Sequence, residues 1–367
     1  MTNKERLFFI GECLTLNHDP EKIPKIKDVI LTKGTDWEEV VWMASNHFVL
    51  PALYLNLKNA GLLANLPEDL VQHLEEITSL NRGRNQQIMQ QACEITAILN
   101  RHNIFPIFIK GTAHLLGGLY QDIAERMVGD IDFLVGRDDV FKAAEILIAE
   151  GYHPLREDIP YYERLNRHYS RLVSDAAIAG VEIHSRIIKA PFDLRLDFKQ
   201  LNSDKQPLNN CSGAFTLSPA HHFLNNMMLV QMNDDGFFYG AVYLRQMYDL
   251  FLLSRACDPL KTLKEFGHYF HRLNAYLCLS AKVLGNPGCL TYEPNWSSRL
   301  FLKRLDFLFR FSASPKVLRF IFYFIYHLYN YLKQLIVAIF WKDKRSLLYY
   351  RIKRPGWFKK HLQSWRH

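Results

Sequence analysis

A chain of 367 residues, 49% hydrophobic and 22% charged, has a globular composition and enough length for two or three domains. Six scattered cysteines (Cys13, Cys93, Cys211, Cys257, Cys278 and Cys289) form no C-x-x-C pair, which argues against a zinc cluster or disulfide framework and fits a reducing cytoplasm. The net charge of +8 is uneven: residues 301–367 hold 15 Lys/Arg against 2 Asp/Glu, a net of +13, which leaves −5 on the first 300 residues. The N-terminus, Met1 to Ile10, lacks the apolar core of a signal peptide.

The first hundred residues read as helices. Trp37 to His47 is one, ending before Pro51, and Pro67 to Asn103 is another, with Pro67 suited to a first helical turn. Within it Ile88, Ala92, Ile95 and Leu99 recur on one helical face. From Ile104 the pattern changes. Ile104-Phe-Pro-Ile-Phe-Ile109 is a short apolar run that reads as a buried strand with Pro106 near its start. Lys110-Gly111-Thr112 follows at a strand-to-helix junction, and Ala113 to Tyr120 reads as a helix. A glycine there admits a phosphate close to the backbone, beside a helix N-terminus, with Lys110 as a point charge and Thr112 as a hydroxyl donor. The same glycine is also common as a purely structural turn residue.

Asp130-Ile131-Asp132 opens the apolar run to Val135. On a strand these two carboxylates share a face, with Ile131 and Phe133 on the other. Like charges side by side repel unless a cation sits between them, and a hard cation such as Mg²⁺ takes oxygen ligands. The bland alternative is an edge strand with solvated acids. Asp138 is placed to cap a helix running to Glu150 and stopping at Gly151. Strands are expected over His168–Ser174 and Val181–Ile187, with Asp175 and Gly180 marking the loop between them. Glu182 and His184 would share a face, and a third carboxylate from a neighbouring strand would complete a set able to hold two Mg²⁺ ions or to supply a general base.

Helices are expected again over Ala220–Met232, Val242–Arg255 and Leu260–Leu284. The plan is therefore α+β: an N-terminal helical region (1–103), a small mixed-sheet core (104–215), a C-terminal helical domain (216–300) and a basic, aromatic tail (301–367). Within the tail, Leu318 to Trp341 is long enough to span a bilayer, yet it carries Lys333 and Gln334 at its centre, where a charge costs about 2.5–3.5 kcal/mol. With Trp357, Phe358, Lys359, Lys360, Trp365 and Arg366 beyond it, the tail reads as a helix packed on the body or as an anchor on an anionic membrane surface, ahead of a nucleic-acid contact.

Taken together, Phe108-Ile-Lys-Gly-Thr112, Leu119-Tyr120, Arg126, Asp130-Ile-Asp-Phe-Leu-Val135 and Val181-Glu-Ile-His184 resemble the polymerase-β-type nucleotidyltransferase superfamily. They are most similar to a family of largely uncharacterised bacterial nucleotidyltransferases. The lead-in Asp36-Trp37, Ala44, His47 and Pro51-Ala-Leu53 fits the resemblance, as does Leu244-Arg245 with Asp249-Leu250. It covers roughly residues 30–255, and Gly111-Thr112 stands where most of the superfamily has Gly-Gly or Gly-Ser. The resemblance implies a small mixed sheet flanked by helices. It implies transfer of a nucleoside monophosphate, usually AMP, from a nucleoside triphosphate such as ATP to an acceptor, with release of pyrophosphate. Asp130, Asp132 and Glu182 would be the catalytic, Mg²⁺-binding acids. Lys110, Gly111, Thr112 and Arg126 would hold the triphosphate. His184, Arg245 and Asp249 are acceptor-side candidates, with a structural role as the alternative for Arg245 and Asp249. The acceptor expected is a small molecule or a cell-envelope precursor, and the location is the cytoplasm or the inner membrane face. The rival readings are a toxin-like nucleotidyltransferase acting on RNA or protein, and an inactive membrane-associated adaptor.

Overall fold

The computed structural model describes residues 1–32, 35–155, 167–189 and 196–310, together with scattered positions between 328 and 353. The chain is α+β, as expected. Five helices come first: α1 (Asn3–Cys13), α2 (Ile23–Thr32), α3 (Trp37–Asn46), α4 (Leu50–Asn59) and α5 (Glu68–Asn100). Helix α1 starts on a capping box, in which the Thr2 hydroxyl accepts from the Glu5 N–H and the Glu5 carboxylate accepts from the Thr2 N–H at 2.8 Å. Helix α5 has 33 residues, about 50 Å of rod. Its predicted apolar face is real, since Ile88, Ala92, Ile95 and Leu99 are all fully buried.

The core follows: β1 (Ile107–Phe108), α6 (Lys110–Leu116), β2 (Asp130–Leu134), α7 (Asp139–Ala149), β3 (His153–Pro154), β4 (Leu172–Val173), β5 (Gly180–His184), α8 (Phe198–Ser203), β6 (Gln206–Pro207) and β7 (Phe215–Thr216). They form one seven-stranded sheet in the order β3-β4-β5-β2-β1-β7-β6. Neighbours β2/β5 and β1/β7 are parallel, and the other pairs are antiparallel. Both edge strands carry a proline, Pro154 and Pro207, where no ladder donor is needed. The β2/β5 register sets Asp132 beside Glu182 and Ile131 beside Val181. Alternation then sends Ile131, Phe133, Val181 and Ile183 into the core, fully buried, and the polar residues to the opposite face.

Several element boundaries differ from expectation. The run Ile104–Ile109 pairs as a ladder only at Ile107–Phe108, although the Ile109 N–H still donates to the Asp132 carbonyl at 3.0 Å. The strand expected over His168–Ser174 shrinks to Leu172–Val173, with one bridge from His168 to His184. The strand expected over Val181–Ile187 runs instead from Gly180 to His184. Asp138 stands at the N-cap of α7, but its side chain makes no capping hydrogen bond. The two-residue strands β3, β6 and β7 carry too few residues for any period to register.

C-terminal helices are α9 (Pro219–Met228), α10 (Gly236–Tyr239), α11 (Leu244–Leu253), α12 (Pro259–Phe266), α13 (Phe270–Val283) and α14 (Trp296–Arg310). Helix α9 loosens into a π-helical turn at Leu229–Asn233. The helix expected over Leu260–Leu284 breaks in two where Gly267 and Tyr269 take positive φ. In the tail segment Leu318–Trp341, residues 318–327, 330, 333, 334 and 337 lie outside the described residues, as do Trp357, Phe358, Lys359, Lys360, Trp365 and Arg366. Among the described residues no helix is long and apolar enough to cross a membrane.

Candidate functional site

Strands β2 and β5 carry the acids, and buried amides of α5 hold the segments that lead into those strands. Asn81 donates to the carbonyls of Ala124 (2.7 Å) and Arg126 (3.2 Å), and Asn85 to those of Ile123 (2.6 Å) and Arg126 (2.8 Å). Gln91 donates to the Ala179 carbonyl (2.8 Å) and accepts from the Ala179 N–H (3.0 Å), which fixes the entry to β5. These amides lie on the buried side of α5, where an unpaired polar group would be costly, so each pairing also sets the position of its loop.

At the centre, the ligating atoms of Asp132, Glu182 and His184 all lie within 4.8 Å of one another. His184 Nε2 is 2.8 Å from Asp132 Oδ1 and 3.4 Å from Glu182 Oε2, so this nitrogen carries the proton and donates it. The Lys110 ammonium pairs with Asp132 and stands 3.7 Å from Glu182. Lys110 reaches them because it takes φ +58° as α6 begins, a left-handed turn directly after β1. Burial pushes both carboxyls up. For Asp132 the Lys110 ammonium and the His184 hydrogen bond outweigh burial and hold it well below the usual carboxylate range. For Glu182 the hydrogen bond from His184, helped by Lys110, likewise holds it below its usual range. The cluster is two ionised carboxylates closed by one protein cation.

Asp130 shares the face but lies outside that cluster. It pairs with Arg171, which sequence reasoning missed. Gly180 makes the pairing feasible, because it stands beside Asp130 in the ladder and a Cβ there would come 2.1 Å from Arg171 Nε. Burial raises the Asp130 carboxyl and Arg171 opposes it. Read from the sequence, Gly180 was only a turn marker. Arg171 enters β4 diagonal to Gly180 in the antiparallel register, a relation that no sequence spacing signals.

The remaining predicted residues have other partners. Gly111 packs its bare Cα on Val128, and a Cβ would come 2.9 Å from Val128 Cγ2. Thr112 is fully buried and donates its hydroxyl to the Asp130 carbonyl at 2.8 Å, so it supports β2. Arg126 is buried against Asp249, with Nε and Nη2 each 3.0 Å from Asp249 Oδ2, and its Nη1 donates to the Met127 carbonyl at 2.9 Å. Tyr120 donates to the other Asp249 oxygen at 2.7 Å. Burial, with Arg126 beside it, pushes the neighbouring His114 imidazole down to about 3, so it is neutral there. Arg245 donates to the Met127 carbonyl at 3.2 Å. None of Thr112, Arg126, Arg245 or Asp249 touches the Asp132–Glu182 pair, whereas His184 and Lys110 do.

The donor set fits a divalent cation. Two ionised carboxylates face one position, and an ammonium already stands there as a surrogate positive charge. Asp132 and Glu182 would hold the ion, Asp130 lies beside them, and His184 would orient the Asp132 carboxylate.

No curated protein and no solved structure matches the chain. A family model described as an uncharacterised nucleotidyltransferase matches residues 33–277, a span that takes in α3 to α5, the whole sheet and the helices through α11 and α12 into α13. The chain belongs to this nucleotidyltransferase family and is a transferase that acts on a nucleoside triphosphate.

Proposed function

We propose that the chain moves a nucleoside monophosphate, by preference AMP, from a nucleoside triphosphate to a hydroxyl acceptor and releases pyrophosphate. The observation that carries this reading is the Asp132–Glu182 pair, ionised and closed by Lys110. Bound Mg²⁺ would supply charge neutralisation at the triphosphate and a lowered pKa at the attacking hydroxyl. Asp132 and Glu182 hold the cation, and His184 keeps Asp132 turned toward it. Lys110 is the mobile positive charge: leaving the carboxylates, its ammonium is free to meet a phosphate oxygen. Arg171 is a second candidate, since it is about one third exposed and already at Asp130. Thr112 and Arg126 serve as positioning residues for β2 and the loop before it.

Labelled ATP incubated with MgCl₂, the protein and a metabolite extract is expected to give a labelled product and pyrophosphate. An Asp130→Ala, Asp132→Ala double variant that keeps its circular dichroism spectrum yet forms product at the wild-type rate would sink the assignment.

A membrane-surface role for the tail is favoured by one observation. Leu332, Leu335, Ile336, Ile339, Phe340 and Trp341 are each more than half exposed, in a segment of high Lys/Arg content. Co-sedimentation with anionic vesicles tests it.

A further inference from the structure

Helix α3 ends in a Schellman turn. The Val49 N–H donates to the Ala44 carbonyl at 3.0 Å, and the Phe48 N–H donates to the Ser45 carbonyl at 2.9 Å. The turn needs one residue in the left-handed region just past the cap, and glycine usually fills that place because its missing Cβ removes the steric penalty. Here the residue is Phe48, at φ +55°. The ring is not repaid by burial either, since 49% of Phe48 is exposed. Neither backbone preference nor the hydrophobic effect accounts for a phenylalanine at this position.

Its surroundings do. The Arg245 guanidinium carbon lies 4.9 Å from the centre of the Phe48 ring. Arg245 is otherwise enclosed: it donates to the Met127 carbonyl, and its Nε has no partner among the described residues. The Leu244 N–H donates to His47 Nδ1 at 3.5 Å, which ties the turn to α11. Met127 stands three residues before Asp130, a separation of at most about 11 Å along an extended chain. The ring is therefore held on a cation, partly open to solvent, beside the segment that leads into β2, and the Asp130 carboxylate acts on that same guanidinium. A cation on one face of a ring draws electron density toward itself, which leaves the other face better suited to stack on an electron-rich heterocycle.

We propose that Phe48, backed by Arg245, is the platform on which the base of the nucleoside triphosphate stacks. This rests on the nucleotidyl-transfer reading above and adds a binding residue from the N-terminal helical region. Stacking uses the face of the base and leaves its hydrogen-bonding edge unread. Phe48 therefore contributes to adenine and guanine nucleotides alike, and discrimination between them lies elsewhere.

Calorimetric titration of the full chain with MgATP, MgGTP and magnesium tripolyphosphate tests the proposal, because tripolyphosphate has the phosphates and no base. In Phe48→Gly, affinity for both nucleotides is expected to fall roughly tenfold while that for tripolyphosphate is unchanged. The same variant should melt no lower than the wild type, because glycine suits the turn. That separates a lost platform from a damaged fold. Phe48→Trp should keep nucleotide affinity. Unchanged ATP affinity in Phe48→Gly, or an equal loss for tripolyphosphate, overturns the platform and leaves the nucleotidyl-transfer reading standing. A wild-type chain that binds none of the three overturns that reading, and the platform with it.

Discussion

Replacing Lys110 by methionine keeps most of the side-chain volume and removes the charge between Asp132 and Glu182. At an effective dielectric of about 20, opposite unit charges 3.7 Å apart attract by about 4 kcal/mol. Desolvation offsets part of this, and removing one partner of a buried pair costs about 3–5 kcal/mol net. Lys110 keeps 23% of its side chain in water, which places the loss at the low end, about 3 kcal/mol. In a chain of 367 residues, whose unfolding entropy is about 0.8 kcal/mol/K, that lowers Tm by roughly 4 °C. The pH dependence has a definite sign. Asp132 and Glu182 are both depressed in the folded state, so they contribute stability that is present above their unfolded values, about 4, and lost as pH falls through the folded ones. Without Lys110, burial and mutual repulsion act with less opposition and both carboxyls rise. The deficit of Lys110→Met relative to the wild type is therefore smallest in acid, below about pH 4 where the wild type's carboxyls also begin to protonate, and grows toward neutrality. MgCl₂ should shrink it at neutral pH, since the ion takes the ammonium's place. Thermal melts of both proteins from acid to neutral pH, with and without MgCl₂, measure this. A deficit that is the same at every pH and insensitive to MgCl₂ refutes the reasoning.

Gly180→Ala tests the Asp130 arm. The new Cβ meets the mobile end of the Arg171 side chain, so the guanidinium moves away and Asp130 loses its counter-charge. Burial then raises the Asp130 carboxyl further, and the acid limb of the pH–kcat/KM profile moves to higher pH. A pH profile that superposes on the wild type's removes Arg171 from the account. For the tail, deletion of residues 315–367 should abolish co-sedimentation with phosphatidylserine vesicles and leave nucleotide binding intact. Binding that survives the deletion places the membrane contact elsewhere.

The acids were legible because strand alternation is a local rule. Asp130 and Asp132, and Glu182 and His184, are each two apart in apolar runs, and that alone puts each pair on one face. Which strand would lie beside which was carried by the family resemblance. The pairing of Asp132 with Glu182 belongs to a parallel register across 50 residues, and no spacing encodes it. The same limit hid Arg171, which depends on β4 lying antiparallel to β5 and on a missing Cβ at Gly180. The amides of α5 were hidden differently. Asn81 and Asn85 continue the face of Ile88 and Ala92, so helical periodicity predicts them buried, but their partners are carbonyls some 40 residues away. Arg126 was expected to clamp phosphate only because the family resemblance implied it. Its actual partner, Asp249, lies 123 residues on.

That partner bears on the source of positive charge for a triphosphate. Arg126 is enclosed by Asp249 and the Met127 carbonyl, while Tyr120 takes the other Asp249 oxygen. Withdrawing its guanidinium toward a phosphate would strand a buried carboxylate, at a cost of about 3–5 kcal/mol. The Arg126–Asp249 pair, with the 2.5 Å hydrogen bond from Tyr248 to Glu125, instead ties the loop before β2 to α11, while Asn81 and Asn85 hold the same loop from α5. Phosphate charge in the proposed reaction then falls to Lys110 and Arg171, both already seated on the acids. In that reaction Asp132 and Glu182 would hold the ion that accompanies the triphosphate, and Lys110 and Arg171, released from the acids, would meet the phosphates. Such an exchange would leave each acid with a cation before and after it, so a site with its cations parked on its own acids suits a substrate that arrives with a metal.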